Sequence, residues 1–324
     1  MDSRLLTAII VVVVVPAVLI GYIVVVERAL RLVSPRQQPR LRPWLWLLPA
    51  LVLLTLFLVY PTIATAVRSL QDKNIANPQF IGLANYQYFF GTGDTLVALR
   101  NSAVWLVLLT AMVVGGGLVS AILFDRVRYE PVAKSLLFVP LAISFVGAGV
   151  IWNFMYNYQP SGEQIGTLNG ALAAVGAHPA DFLQTPPGNT IALIVVGAWI
   201  WTGFGMVILS AALKGISTEL LEAARVDGAN ELQVFRGITL PLLMPTIAVV
   251  STTIIITALK AFDIVYVMTG GNYDTDVMAN RMYKELFNFS QPGRASAVAT
   301  ILVLLIIPIM ALNIRRFQAQ EAIR

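Results

Sequence analysis

A chain of 324 residues that is 57% hydrophobic and only 12% charged is not a soluble domain, which carries about twice that share of charge. The net charge of +5 does not argue for nucleic acid, because most of the 22 Lys and Arg residues lie beside apolar runs, as topology signals and headgroup contacts do. The absence of Cys excludes disulfides, thiolate metal sites and a Cys nucleophile, and a single His178 leaves little scope for imidazole chemistry.

Seven charge-poor runs follow one another: 5–26, 44–67, 101–124, 135–158, 191–213, 246–267 and 295–314. Each is long enough to cross a roughly 30 Å hydrocarbon core as a helix. Barrel strands would be shorter and would alternate apolar with polar residues. The sequence therefore predicts an all-α integral membrane protein with seven spans. The first run is longer than a signal-peptide core, and its basic cluster follows it (Arg28, Arg31, Arg36, Arg40, Arg42), so it is read as a true span. Within the spans, Gly115, Gly116 and Gly117, Gly147 and Gly149, and Gly203 and Gly205 invite close helix contacts, and Pro140 and Pro308 mark kinks. Asn153, Tyr156, Asn157 and Tyr158 at the end of the fourth run read as an interfacial belt. The loop 159–190 opens on the turn Gln159-Pro160-Ser161-Gly162 and carries Leu168, Leu172 and Val175 at the spacing of a short surface helix.

Basic residues orient the chain. Arg28, Arg31, Arg36, Arg40, Arg42, Arg126, Arg128, Lys134, Lys214, Arg225, Arg236, Arg315, Arg316 and Arg324 fall on one face. Half as many fall on the other: Arg4, Arg68, Lys73, Arg100, Arg281, Lys284 and Arg294. The positive-inside rule places the first set in the cytoplasm, with the N-terminus outside and the C-terminus inside.

The segment 214–241, between the fifth and sixth runs, is the most informative. Ser217 or Thr218 suits an N-cap, and Glu219 and Glu222 suit the positive end of a following helix. Gly228 stops that helix, and Asn230 with Gln233 has the form of a capping box opening a second short helix towards Phe235. Leu220, Leu221, Ala224 and Phe235 are thereby presented where no lipid covers them. Two readings stay open on the residues alone: a docking element for another protein, or a solvated loop resting on its own spans.

Glu222-Ala223-Ala224, Asp227-Gly228, Ile238 and Leu240-Pro241 resemble the EAA signature of bacterial ABC-importer permeases. Phe80-Ile81-Gly82-Leu83-Ala84-Asn85-Tyr86, Trp201-Thr202-Gly203-Phe204 and the stretch from Phe262 to Gly271 resemble the maltose-type, carbohydrate branch. The resemblance covers roughly 44–316. It implies a six-helix permease core there, preceded by an extra span and basic linker over 1–43 and followed by a tail over 317–324. It also implies coupling helices in 214–241 that seat in a cleft of an ATPase subunit. The partners implied are a second permease subunit, two ATPase subunits and an extracytoplasmic sugar-binding protein, within membrane lipid and without nucleic acid. No phosphate loop occurs and the dipeptide Gly-Lys is missing, so ATP and Mg are expected on the ATPase partner, with no cofactor in this chain and no catalytic role for it.

Lys260 and Asp263 are the charged residues inside the runs, about 21 and 26 Å along a continuous sixth helix, close enough to pair on one face. Intramembrane charges mark either a substrate path or a structural pair. By the resemblance, Trp201, Thr202, Gly203, Met206, Lys260 and Ala261 belong to the cargo pocket, with Asp263 beside them. A secondary transporter or channel would call for ion-coupling carboxylates and paired halves with broken helices, which are not evident here. A membrane enzyme would call for an acid, His or nucleophile constellation, and none is visible.

Overall fold

The computed structural model describes residues 3–125 and 127–321, and those residues are helical with short connections. Arg126, Arg324 and positions 322–324 of the expected tail lie outside the described residues. Among the described residues there is no strand, only an isolated bridge between Gln71 and Phe80. Five helices are long and apolar enough to cross a membrane: Val12–Leu30, Gln38–Arg68, Gly93–Phe124, Gly188–Lys214 and Glu231–Leu259. A sixth span arises if the bent pair Glu130–Ala142 and Phe145–Met155 counts as one, and Pro292–Pro308 is a shorter apolar helix. The chain divides into two units, 1–65 and 66–324.

In the first unit, helix Ser3–Leu30 meets the start of helix Gln38–Leu54 through polar contacts. The Tyr22 hydroxyl donates to Leu45 O at 2.5 Å, and Glu27 accepts from Arg42 at 2.6 Å and from Trp46 Nε1 at 3.1 Å. Gln38–Leu54 buries none of its residues, and Trp44, Trp46 and Leu47 are exposed. A π-helical turn over Thr55–Val59 leads into Tyr60–Arg68. Pro61 accounts for the turn, since its ring cannot sit over the carbonyl of Phe57.

The second unit is organised around Gly188–Lys214, more than half buried (56%) in its most apolar stretch. Leu193, Ile194, Ile200, Met206 and Leu209 of this helix join Trp105, Leu109 and Val113 of Gly93–Phe124 and Val250 and Ile254 of Glu231–Leu259 in one core. Close crossing requires small residues. A Cβ on Gly117 would stand 2.9 Å from the Gly205 carbonyl carbon, and one on Gly203 would stand 2.4 Å from Leu137 O. At Gly149 the nearest neighbour is a side-chain methyl of Val267, 3.1 Å away, a looser contact, and Gly115 faces open space. The glycines read from sequence as contact points are therefore used unequally.

Three expectations change. The fourth run breaks at 143–144 and its halves diverge by 104°. Pro140 ends the first half in a 3-10 turn, Val139–Ala142, and the Ser144 hydroxyl caps the second half by accepting from Gly147 N at 3.0 Å. Tyr156 is not a belt residue. It is buried, donates to Ala192 O at 3.1 Å and packs on Trp152 with centroids 5.1 Å apart. The loop helix forms over Thr167–Ala174, but buried Asn169 anchors it, donating to Asn157 O and Ala180 O. Leu168 packs towards the core while Val175 stays exposed.

Candidate functional site

Two places carry the residues singled out from sequence. The first is the segment after Lys214. Helix Thr218–Val226 buries no residue at all. Its N-cap Ser217 has extended backbone but makes no side-chain cap bond, so Glu219 in the first turn is what meets the helix dipole there. Its other end is a Schellman motif: Ala229 N donates to Ala224 O and Gly228 N to Arg225 O, both at 3.0 Å. Gly228 has φ +86°, the left-handed conformation that a residue without Cβ adopts freely.

The next helix opens on a complete capping box. Asn230 Oδ1 accepts from Gln233 N at 3.0 Å, and Gln233 Oε1 accepts from Asn230 N at 2.8 Å. Arg225 bridges the joint to Glu231 at 2.7 Å, and that carboxylate holds the guanidinium above the ordinary arginine value. The second element is not a separate short helix. It is the first turn of Glu231–Leu259, which runs on through a π-helical turn over Phe235–Thr239. Pro241, whose ring would strike the Gly237 carbonyl of a regular helix, gives the local reason. Glu222, Ala223, Asp227, Gly228 and Pro241 are exposed, and Ala224, Ile238 and Leu240 are half-buried. Of the apolar residues expected at the surface, Leu220 is exposed while Leu221 and Phe235 are half-buried.

The segment is tied to the bent pair. Lys214 Nζ donates to Glu130 Oε1 at 2.5 Å and lies 3.6 Å from Asp125. Lys134 binds the same Glu130 oxygen and the Ser210 hydroxyl.

The second place is a cavity of about 300 Å³. Its wall comes from Trp105 and Leu109, Phe145, Gly197 and Trp201, and the stretch Thr257 to Ile264. The sixth run is not one helix: Glu231–Leu259 stops, residues 260–262 are irregular, and a new helix covers Asp263–Met268. Lys260 and Asp263 therefore do not share a helix face, and no ion pair joins them among the described residues. Each charge instead sits on a helix end of opposite partial charge, Lys260 at a C-terminus and Asp263 at an N-terminus. That explains how two charges occupy this apolar stretch without each other.

Trp201 stacks on Phe145 with centroids 6.4 Å apart and planes 27° apart. The indole N–H groups of Trp105 and Trp201 are buried and have no hydrogen-bond partner among the described residues. Lys260, Ala261 and Asp263 share this wall. Thr202, Gly203 and Met206 occupy other faces of the central helix. Thr202 Oγ1 donates to Ala198 O at 2.6 Å, Gly203 abuts Leu137 and Phe138, and Met206 is fully buried in the core.

Sequence reasoning missed the polar anchors behind the cavity. Asn101 Nδ2 donates to Asp274 O at 2.6 Å and to Asp276 O at 2.9 Å, and Asn189 Nδ2 to Tyr273 O at 2.7 Å. Both anchors are buried, and they hold the turn in which Tyr273 and Asp274 take positive φ. An Asn at the edge of an apolar run was the available signal.

The sequence profile of the family described as "Binding-protein-dependent transport system inner membrane component" matches residues 1–320. The osmoprotective compounds uptake permease protein of Synechocystis sp. is 51% identical over 281 residues, covering 86% of this chain and 100% of its own length. The alpha-glucoside transport system permease protein of Rhizobium meliloti is 46% identical, covering 85% of this chain and 82% of its own length. The trehalose/maltose transport system permease protein of Thermococcus litoralis is 30% identical, covering 85% and 94%. A crystal structure of a bacterial alginate ABC transporter, in complex with an alginate pentasaccharide-bound periplasmic protein, contains a chain of the same fold. That chain has TM-score 0.72 and 23% identity, with 86% of this chain and 96% of that chain covered.

Proposed function

The chain belongs to the family of binding-protein-dependent transport system inner membrane components, and from that premise we propose that it is the permease subunit of a sugar-importing ABC transporter. It lies in the inner membrane as a multi-pass subunit, beside a second homologous permease, two ATPase subunits and an extracytoplasmic binding protein. Relatives named for alpha-glucoside and for trehalose/maltose transport support a carbohydrate cargo. ATP and Mg belong to the ATPase partner. The proposed topology has seven spans, an external N-terminus and a cytoplasmic C-terminus, with 44–316 as permease core, 1–43 as an added span and linker, and 317–324 as a tail.

The observation that carries this reading is the segment 217–241. A helix with no buried residue, ended by a Schellman turn that leads directly into the capping box of the next helix and bridged to it by Arg225 and Glu231, holds a fixed shape while leaving Glu222, Ala223 and Asp227 exposed. Glu222, Ala223, Ala224, Asp227 and Gly228 present that shape to the ATPase, and Ile238, Leu240 and Pro241 carry its movement into the helix that ends at the cavity. Trp201, Lys260, Ala261 and Asp263 contact the sugar. Thr202, Gly203 and Met206 serve the path through the packing of the helix that bears Trp201. The test is reconstitution of the assembled transporter in proteoliposomes. ATP hydrolysis and sugar uptake should both rise when loaded binding protein is added. Uptake that persists without the ATPase subunits would refute the assignment.

A further inference from the structure

Resting on the sugar-permease reading, we infer that the cargo surface does not end at the cavity but continues as a ladder of four aromatic rings, Phe262, Tyr266, Tyr283 and Phe287, on which pyranose rings stack in transit. Phe262 is itself part of the cavity wall. Its ring centroid lies 5.1 Å from Tyr266 and 5.3 Å from Tyr283, Tyr266 and Tyr283 are 5.1 Å apart, and Phe287 follows Tyr283 at 4.8 Å. Phe262 ends the irregular break, Tyr266 lies in helix Asp263–Met268, and Tyr283 and Phe287 lie in the stretch Met278–Asn288 beyond the turn that Asn101 and Asn189 pin. They run from the cavity towards the point where helix Pro292–Glu321 begins.

The exposure of these rings is one-sided. Tyr266 is 46% and Phe287 64% exposed, whereas Ile264, Val265 and Met268 on the other side of the same short helix are buried. Rings that merely filled a core would be covered. Arg281 and Glu285 of the second stretch are buried and Lys284 is half-buried, so its charges turn inward while Phe287 stays exposed. Of these, Arg281 binds Glu285 at 2.7 Å and Lys284 binds Asp276 at 3.2 Å, so the charged groups are neutralised beside the rings. A pyranose has an apolar C–H face and a rim of hydroxyls. An aromatic face accepts the first, and the Tyr266 and Tyr283 hydroxyls accept or donate to the second.

The experiment uses the complete transporter in proteoliposomes, with radiolabelled trehalose, sucrose and maltotriose as probes. Tyr266→Ala and Phe287→Ala should each lower uptake at saturating loaded binding protein about two- to tenfold, the range of one aromatic contact. ATP hydrolysis stimulated by the loaded binding protein should hold, so less sugar moves per ATP. Tyr266→Phe, which keeps the ring, should retain most of the uptake. Unchanged uptake in both alanine variants overturns the ladder. So does loss of the second permease from the purified complex, which would make the rings a packing surface between subunits. Absence of uptake of every probe by the unaltered transporter would instead overturn the sugar reading on which the ladder stands.

Discussion

Helix Thr218–Val226 and the cavity beneath Trp201 differ in how they acquire shape. The helix buries nothing and is fixed by backbone devices written in consecutive residues: Gly228 at φ +86°, the turn at Ala229 and the Asn230–Gln233 box. The cavity takes its wall from the helices bearing Trp105, Phe145 and Trp201 and from an irregular break at 260–262, so its shape depends on distant packing. Under the proposed function, the first is the surface that meets the ATPase and the second the concavity that meets the sugar. The difference predicts that damage to packing destroys both, damage to the joint destroys only coupling, and damage to the wall affects only cargo.

The largest effect should come from Gly203→Leu. Its Cβ would meet Leu137 O at 2.4 Å and Phe138 Cα at 2.7 Å, backbone atoms that cannot turn aside. Overpacking of this kind costs about 1–3 kcal/mol or more, and the bent pair would separate from the central helix. The expected outcome is loss of detergent-stable protein and of co-purifying partner subunits, read by size-exclusion profile and thermal unfolding. Normal yield and melting would mean that the two helices are not held in register by this contact, and that the cavity is softer than its surroundings imply.

Next come Gly228→Val and Ala224→Trp. Space is not the obstacle at Gly228, since nothing lies within 4 Å of its Cβ position. The left-handed backbone is, at about 1–2 kcal/mol for an L residue. Ala224 is half-buried, and a large side chain there alters the face proposed to meet the ATPase. Both variants should insert and pair with the second permease, yet lose most ATPase co-purification or sugar-stimulated hydrolysis. Full stimulation in both would break the comparison by removing the segment's role.

The same contrast explains what could be read from the sequence. Most of the long helices followed from long apolar runs, though the fourth and sixth runs are broken, and the joint followed from Gly228, Asn230 and Gln233, because capping and left-handed turns are local, whereas Ser217 makes no cap bond. The break after Leu259 was not legible, since Lys260-Ala261-Phe262-Asp263 contains neither Gly nor Pro and its charges invite an i,i+3 pair. Opposite helix-end dipoles, visible only once the helices are placed, reverse that reading. Tyr156 misled for a related reason: a Tyr near a span end fits an interfacial belt or a buried bond to Ala192 O equally well. Asn101 and Asn189 are marked by their place at the edge of an apolar run, but they sit far from the turn they hold, so no local pattern names their partner.

A moderate effect is expected on the wall itself. Trp201→Ala removes a ring stacked on Phe145, and Lys260→Ala removes a charge from a helix C-terminus. Each should slow uptake several-fold while ATPase association stays intact, as measured by transport in proteoliposomes alongside co-purification. Unchanged uptake in both would separate the cavity from the cargo route.

The smallest effect should follow Asn230→Ala, and it probes the joint most finely. The substitution deletes one half of the capping box, leaving Gln233 N without its acceptor, while Gly228 keeps its turn. Loss of an Asn cap costs about 1 kcal/mol, which corresponds to roughly fivefold more frequent opening of the first helical turn. The opening is confined there, because buried Val234 and the remainder of Glu231–Leu259 are held by packing rather than by the cap. Amide exchange over 230–234 should therefore quicken about fivefold, while sugar-stimulated ATP hydrolysis falls less than about twofold. Asn230→Asp, which retains a capping oxygen, should restore slow exchange. If Asn230→Ala instead abolished coupling as completely as Gly228→Val, the first turn would be part of the contact with the ATPase. The surface that reads the nucleotide cycle would then extend past the glycine joint into the helix that reaches the cavity.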